Sequence, residues 1–375
     1  MKMKEKLGNY IQEYSVRNKA GEDIPVYSVT NTQGFCKDYF GKEVASKDKT
    51  TYKVVPRGFF AYNPSRINVG SVDYQRYEDR VIVSPLYNVF SVSEELDKQY
   101  LYYYLKSNIA LQRIRTVASG SVRDNLKLSM LYEFPINLKC IDEQKDVVRK
   151  LDKVKLVVDL RKAELQQLDE LVKSRFVEMF GDPVINPYNW ATKPFLETGT
   201  CKNGMNFHYD DAGVELNCLG VGDFKDFSII DDTSTLPMVS LNEMPSTEYL
   251  LQDGDIVFVR SNGNKALVGR SIAVYPKDIP TTFSGFCIRY RKFYDALTIP
   301  YLLRVLKSNS IRKKMMGRGA NIQNLNQQIL STIVIPIPPI DLQNEFANFV
   351  EQVDKSKFCV TNHLKKIQLI KGELL

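Results

Sequence analysis

The sequence has 375 residues, of which 43% are hydrophobic and 25% are charged, and its formal net charge is +7. This balance is typical of globular domains and excludes a disordered or low-complexity chain, and the length predicts two or three domains. Because the sequence has no apolar run of 18 residues and no charged-then-apolar leader, we expect a cytoplasmic protein without a membrane span or a signal peptide.

Residues 1–139 predict a globular domain of mixed strands and helices. A strand-like run at 81–83 is followed by a helical run near 95–117. A polar loop at 62–70 (YNPSRINVG) follows an apolar strand, and a second polar segment, 120–126 (GSVRDNL), follows the cationic end of the helical run. The candidate DNA-binding side chains in these two segments are Asn63, Ser65, Arg66, Asn68, Ser121 and Arg123. The first segment is equally typical of a hairpin turn, and the cations before the second can complement a helix dipole.

Residues 140–183 predict one long helix that ends at a Gly-Asp-Pro sequence. Apolar side chains recur along it at alternating steps of three and four residues, which is the heptad spacing of a coiled coil. The seam consists of Val147, Leu151, Val154, Val158, Leu165, Leu168 and Val172. A seam this narrow needs a partner helix to become buried.

Residues 184–339 repeat the plan of the first domain. Strand-like runs at 256–259 and 286–289 precede a helical run near 300–316, and a polar loop at 259–269 (VRSNGNKALVG) follows the first of these runs. The candidate DNA-binding side chains are Arg260, Ser261, Asn262, Asn264 and Lys265 in the loop, and Lys313, Lys314 and Arg318 at the end of the helical run. The same two alternatives, a turn and a complemented helix dipole, apply here.

Residues 340–375 predict the partner helix. Moving the first seam by 199 residues reaches Phe346, Val350, Val353, Val360, Leu364 and Ile367. Other segments recur in the same order at offsets of 199 to 201, including 100–108 with 301–309 and 120–126 with 319–325. The chain is therefore two repeats of about 190 residues, each a globular domain followed by a long helix.

The positive charge is concentrated in the first globular domain. Residues 1–140 contain 21 basic and 15 acidic side chains, whereas both long helices are close to neutral. Basic domains joined to neutral helices suggest that the domains bind a polyanion. An excess of this size is also an ordinary solubility charge.

The sequence has no evident motif for catalysis, metal binding or cofactor binding. His208 and His363 are far apart and lack a cysteine or acidic ligand pattern, and the six cysteines include no CxxC pair. No complete GxGxxG follows a strand, and GxxxxGK[ST] does not occur. We therefore expect a binding subunit without catalytic residues, a metal or a cofactor of its own.

The segments together resemble the DNA-specificity subunit of Type I restriction-modification systems. The similarity lies in VYSVTN (26–31), FFAYNPSRINVGSV (59–72), LDELVKSRFVEMFGDP (168–183), GDIVFVRSNGN (254–264) and FSGFCIRYR (283–291). IDEQ or IDLQ also opens each long helix after a proline-containing strand. The second helix lacks a counterpart of residues 179–183, so the distal part of the helix pair could be shorter or completed by a partner.

This resemblance implies an α+β fold with two pseudo-repeated target-recognition domains, 1–139 and 184–339. They would be separated by a long antiparallel two-helix coiled coil formed by 140–183 and 340–375. Each domain would bind one half of a bipartite, asymmetric target in double-stranded DNA, and the helices would set the spacer. The helices would also bind two copies of a DNA adenine methyltransferase subunit, and motor-nuclease restriction subunits would complete the complex. S-adenosylmethionine, ATP and Mg are expected on those partners.

Two other classes of function stay open from the residues alone. An enzyme would require an acidic metal cluster or a cofactor loop, which the sequence does not show. A protein-interaction scaffold built on the two-helix rod would need only the helices. Salt-sensitive, sequence-selective DNA binding distinguishes these alternatives.

Overall fold

The computed structural model describes residues 5–37, 48–118, 125–207, 212–224, 229–316 and 324–373, with side chains up to residue 367 in the last segment. The chain divides into two compact units. The first unit is Met1–Ala163 with Val360–Leu375, and the second unit is Glu164–Cys359. Both divisions fall inside long helices, so each unit contains a globular domain and parts of both helices.

The first unit is built on a four-stranded antiparallel sheet. Its strands are β1 (Glu5–Lys6), β2 (Ile11–Glu13), β3 (Ser28–Thr30), β4 (Gly34–Cys36), β5 (Lys53–Pro56), β6 (Phe60–Tyr62), β7 (Val72–Tyr74), β8 (Arg80–Val83), β9 (Asn88–Val92) and β10 (Pro135–Ile136). Its helices are α1 (Lys98–Leu105), α2 (Asn108–Ala118), α3 (Leu128–Tyr132), the beginning of α4 (Ile141–Phe180) and the end of α8 (Ile340–Glu373). The main sheet has the order β2-β9-β6-β7, beside the pairs β1-β10, β3-β4 and β5-β8.

Alternation along β6 explains how this sheet buries both faces. Phe60 and Tyr62 point to the core cluster that includes the helices, and Ala61 between them points to a second core cluster. Phe60 stacks on Phe90 of β9 with ring centroids 5.1 Å apart. The beginning of α4 adds Val147 and Leu151 to the first of these clusters. The long helix is therefore part of the core of the first unit.

The second unit has the same plan with a larger sheet. Its strands are β11 (Ala191–Pro194), β12 (Gly199–Asn203), β13 (Val214–Leu219), β14 (Ile229–Ile230), β15 (Met238–Leu241), β16 (Asp255–Val259), β17 (Ser271–Val274), β18 (Thr281–Phe283), β19 (Cys287–Lys292) and β20 (Val334–Ile337). Its helices are the end of α4, α5 (Ile299–Lys307), α6 (Asn309–Met316), α7 (Gln327–Ser331) and the beginning of α8 (Ile340–Glu373). The unit contains a five-stranded sheet with the order β12-β19-β16-β17-β14, a three-stranded sheet with the order β15-β13-β18, and the pair β11-β20.

Both units combine sheets with helices, so the predicted α+β class is confirmed. Each predicted helical run, near 95–117 and near 300–316, is two helices rather than one. The break has a local cause, because the hydroxyls of Ser107 and Ser308 accept hydrogen bonds from the amides of Ala110 and Ile311 and so begin the second helix. None of the helices in the described part of the chain is long and apolar enough to cross a membrane.

Within the second unit, the end of α4 packs against the beginning of α8. The rings of Phe176 and Phe180 lie 5.5 and 5.6 Å from the ring of Phe346. Arg175 is paired with Glu345 at 2.8 Å, and Asp169 is paired with Lys357 at 2.6 Å. Since the earlier residue of α4 contacts the later residue of α8, these two helix segments run in opposite directions.

The seam positions of both helices are the less exposed ones. Those that are buried are Val147, Leu151, Val172, Phe346, Val353 and Val360. Those that are half-buried are Val154, Val158, Leu165, Leu168, Val350, Leu364 and Ile367. Most positions between them are exposed, as a heptad pattern requires.

Candidate nucleic-acid interface

In the first unit, the polar loop lies between β6 and β7 and is held by one buried side chain. Ile67 is fully buried and begins a single 3-10 turn, which ends at Gly70 with a φ of 91°. A left-handed residue here favours glycine, because a Cβ at this φ is strained. Ser65 and Arg66 are exposed, whereas Asn63 and Asn68 are half-buried. The loop therefore presents a hydroxyl and a guanidinium to solvent on a fixed backbone.

The segment that follows α2 docks on this loop. The amide of Leu126 donates to the carbonyl of Pro64 at 3.1 Å, and the hydroxyl of Tyr62 donates to the carbonyl of Leu126 at 3.0 Å. The structure therefore brings the two polar segments of the first repeat together at residues 64 and 126. Ser121 and Arg123 lie outside the described residues.

In the second unit, the corresponding loop lies between β16 and β17 and has the same plan. A 3-10 turn at Lys265–Leu267 is followed by Gly269 with a φ of 72°. The amide of Leu325 donates to the carbonyl of Arg260 at 2.7 Å, so the segment after α6 docks on the loop as it does in the first unit. Arg318 lies outside the described residues, and Lys313 and Lys314 are exposed on α6.

The side chains of three loop asparagines accept hydrogen bonds from backbone amides two residues later, as is common in turns. The side-chain oxygen of Asn63 accepts from the amide of Ser65 at 3.1 Å. Those of Asn262 and Asn264 accept from the amides of Asn264 and Ala266 at 2.8 and 3.1 Å. Bidentate pairing of an asparagine with adenine uses both the oxygen and the nitrogen of the asparagine side chain. To contact a base in this way, each of these asparagines would have to share its oxygen with the loop amide or give up that bond.

Arg260 makes hydrogen bonds to other parts of the second unit. Its Nη1 donates to the carbonyl of Gly285 at 3.3 Å, and its backbone amide donates to the carbonyl of Phe286 at 2.8 Å. The guanidinium thereby joins the loop to the turn between β18 and β19. The sequence placed Arg260 in the loop, but its contact with a turn 25 residues later was not predicted.

These segments line an open cleft of about 470 Å³ in the second unit. It is lined by Val221, Ser261, Asn262, Gly263, Lys265, Phe286 and Asn324. Ser261 and Asn324, which both line the cleft, form an isolated antiparallel bridge. Hydroxyl, amide and ammonium groups in a concave site can bond base edges and phosphate oxygens. Val221, Phe286 and Asn324 were missed by sequence reasoning, although Phe286 lies in FSGFCIRYR (283–291), one of the segments that carry the family resemblance.

An arginine from the second short helix of each unit, α2 or α6, supports the loop. Nε of Arg115 donates to the carbonyl of Asn68 at 3.2 Å, and Nη2 of Arg312 donates to the carbonyl of Ala266 at 3.3 Å. Burial and the nearby Arg270 lower the pKa of the Arg312 guanidinium. These two arginines therefore position the loops.

Among the described residues, no group of three or more His, Cys, Asp or Glu side chains could hold a metal ion. Of the two histidines, His363 is exposed on α8, and His208 lies outside the described residues.

Comparison with known protein families gives two matched regions. A family model described as Type I restriction modification DNA specificity domain matches residues 5–170 and 230–371. The chain is 22% identical over 399 residues to the Type I restriction enzyme StySPI specificity subunit of Salmonella potsdam, which covers 99% of this chain and 83% of the relative. It is also 22% identical over 305 residues to the Type I restriction enzyme EcoKI specificity subunit of Escherichia coli strain K12, which covers 74% of this chain and 63% of the relative.

Two solved structures have a similar fold. One comes from work on complex assembly and conformational transition of the type I R-M system, with a TM-score of 0.58, 16% identity, and coverage of 98% of this chain and 95% of the other. The second is a Type-I restriction-modification S subunit from M. genitalium, with a TM-score of 0.50, 14% identity, and coverage of 99% and 94%. At these identities the likeness concerns the fold.

Proposed function

The chain belongs to the family of Type I restriction modification DNA specificity domains, and we propose that it is the DNA sequence-specificity subunit of a Type I restriction-modification complex. It is not an enzyme by itself; it selects the DNA sequence on which its partner subunits act. The observation that carries this proposal is the recurrence of one construction in both units. In each, a polar loop after a buried strand is joined by a backbone hydrogen bond to the segment that follows the second short helix.

The two units bind different half-sites of one bipartite target. Their loops have the same backbone plan but different side chains, Asn63-Pro64-Ser65-Arg66 in one and Arg260-Ser261-Asn262 in the other. Different donors and acceptors select different bases in the major groove. The target is therefore asymmetric, with one half for each unit.

The helices α4 and α8 form the antiparallel two-helix rod that sets the spacer between the half-sites. Support comes from the contacts of Phe176 with Phe346 and of Asp169 with Lys357 in the second unit. In the first unit, Val154 and Val158 of α4 are half-buried and Val360 of α8 is buried, as seam positions should be. The 40 residues of α4 correspond to about 60 Å, or about 18 base pairs of DNA.

The partners are double-stranded DNA, two copies of a DNA adenine methyltransferase subunit and motor-nuclease restriction subunits. Three apolar side chains of α4, Leu156, Val157 and Leu160, are 60%, 40% and 60% exposed, and Leu160 neighbours both of the others on the helix surface. An exposed apolar patch of this kind suits a protein partner better than solvent. S-adenosylmethionine, ATP and Mg bind those partner subunits rather than this chain.

The test is to co-express the chain with its neighbouring modification subunit in a host that lacks DNA methylation and to map the methylated adenines. A gapped, asymmetric motif is expected, and replacement of residues 184–339 by those of a homologue should change one half of it only. A stable complex that methylates no adenine would contradict target recognition and would favour the scaffold hypothesis. Methyl transfer by the purified chain alone would contradict its non-catalytic role.

A further inference from the structure

A large apolar side chain is exposed at the same turn in each unit. Phe286 lies between β18 and β19 and is 61% exposed, and Leu86 lies between β8 and β9 and is 79% exposed. The two turns are built alike. The amides of Phe286 and Leu86 donate to the hydroxyls of Ser284 and Ser84 at 3.3 and 3.5 Å. The exposure is thus a repeated feature of the fold rather than an isolated surface residue.

Phe286 is fixed to the polar loop of the second unit. Its carbonyl accepts hydrogen bonds from the amides of Arg260 at 2.8 Å and Ser261 at 3.4 Å. Arg260 also donates through Nη1 to the carbonyl of Gly285, the preceding residue. The backbone of Phe286 therefore has a set position relative to the hydroxyl, amide and ammonium groups that line the cleft of about 470 Å³.

An aromatic side chain that is carried on a held backbone among polar groups suits a ligand that is polar with one apolar projection. In the major groove of DNA, base edges offer hydrogen-bond donors and acceptors, and the C5-methyl group of thymine is the apolar group among them. The phosphates and sugars that border the groove are recognised by polar and charged groups instead. Among the described residues that line the cleft, Phe286 supplies the one aromatic ring, and this combination of groups corresponds to a thymine-containing base step.

We propose that Phe286 determines specificity by contacting the C5-methyl group of one thymine in the half-site bound by the second unit. This inference rests on the proposed DNA-specificity function, and it names the base, thymine, and the group, its C5-methyl, that the second unit recognises. It requires that this half-site contain an A·T pair whose thymine methyl contributes to binding. The neighbouring amides and Lys265 then bond the adjacent base edges or the backbone.

The test uses the complex of the full chain with its modification subunit and duplexes that carry the mapped motif. Each thymine is replaced singly by 2′-deoxyuridine, which removes the methyl group and keeps every hydrogen-bonding group. In the wild type, one substitution in one half-site should weaken binding about three- to tenfold. The Phe286→Ala complex should bind the thymine duplex more weakly by a similar factor and should show no further loss with uracil.

Phe293 supplies the matched control, because it is 59% exposed and directly follows β19, whereas Phe286 directly precedes it. The Phe293→Ala complex should keep the wild-type sensitivity to uracil. A Phe286→Leu complex, which retains an apolar side chain, should keep part of that sensitivity and serves if the alanine variant does not fold.

Three outcomes would overturn the inference. In the half-site bound by the second unit, uracil could weaken wild-type binding at no position, or the sensitive position could persist in Phe286→Ala. The third outcome is an equal loss of sensitivity in Phe293→Ala. Failure of the proposed function looks different, because the wild-type complex would then not distinguish the motif duplex from a scrambled duplex, before any thymine is replaced.

Discussion

Gln343 is predicted to attach α8 to the globular part of the second unit. The side chain is fully buried, and its Nε2 donates to the carbonyls of Ala296 and Pro338, each at 2.9 Å. Its Oε1 accepts from the amide of Thr298 at 2.9 Å, and Thr298 is the N-cap residue of α5. One amide side chain therefore satisfies three buried backbone groups at the junction of a strand, a short helix and a long helix.

Replacing Gln343 by Met keeps the approximate volume and removes all three hydrogen bonds. An unsatisfied buried polar group costs about 1–3 kcal/mol, and some relief by water is expected at the helix ends, so the free energy of unfolding should fall by about 3 kcal/mol. With a urea dependence of about 2–3 kcal/mol per molar, the unfolding midpoint should fall by about 1 M. Such a loss is a large part of the stability of a domain.

The assay is urea unfolding followed by the fluorescence of Trp190, the single tryptophan of the chain, which lies in the second unit. Gln352→Met is the matched control, since Gln352 is exposed on the same helix, and it should change the free energy of unfolding by less than about 0.5 kcal/mol. Equal midpoints for Gln343→Met, Gln352→Met and the wild type would refute the reasoning.

Three further predictions concern charge, pH and backbone conformation in the second unit. The Asp255 side chain is 1% exposed and accepts two hydrogen bonds from Arg291, so Asp255→Asn should lower the free energy of unfolding in urea by about 3 kcal/mol. Asp79 pairs with Arg57 on the surface, so the control Asp79→Asn should lower it by less than about 1 kcal/mol. Burial lowers the pKa of Lys307 to about 8, so the folded state binds fewer protons than the unfolded state between about pH 8 and 10.5. The free energy of unfolding of the wild type, relative to that of Lys307→Met, should therefore rise with pH over this range. A fall would contradict the lowered pKa of Lys307. Because Gly269 has a φ of 72°, Gly269→Ala should lower the free energy of unfolding by about 1–2 kcal/mol and weaken binding to the motif. A Cβ added at Gly222 would lie in open space, so the control Gly222→Ala should leave the free energy of unfolding within about 0.5 kcal/mol of the wild type.

The repeat, the α+β class and the two long helices could be predicted because each depends on a short-range pattern. Heptad spacing within one helix and recurrence of segments at one offset are visible without any knowledge of tertiary contacts. The two polar loops could be located for the same reason, since each follows a recognisable apolar strand. Which side chains in them contact DNA stays a prediction.

The parts that sequence reasoning missed depend on contacts between distant segments. The role of the glutamine in IDEQ and IDLQ is an example: Gln144 accepts from the amide of Asp97 at 2.8 Å, 47 residues earlier, and Gln343 does the same with Thr298. No local pattern indicates that these glutamines are buried. The breaks at Ser107 and Ser308 were missed because serine is tolerated within a helix as well as at its beginning.

The two units keep their plan through backbone groups and leave the loop side chains free to differ. The amides of Leu126 and Leu325 bond the carbonyls of Pro64 and Arg260, and a carbonyl acceptor exists whatever the side chain at that position. Arg115 and Arg312 also bond loop carbonyls rather than side chains. A loop held in this way can change its exposed side chains without losing the bonds that position it. Specificity in one half of the target can therefore change while the fold, and the other half of the target, remain the same.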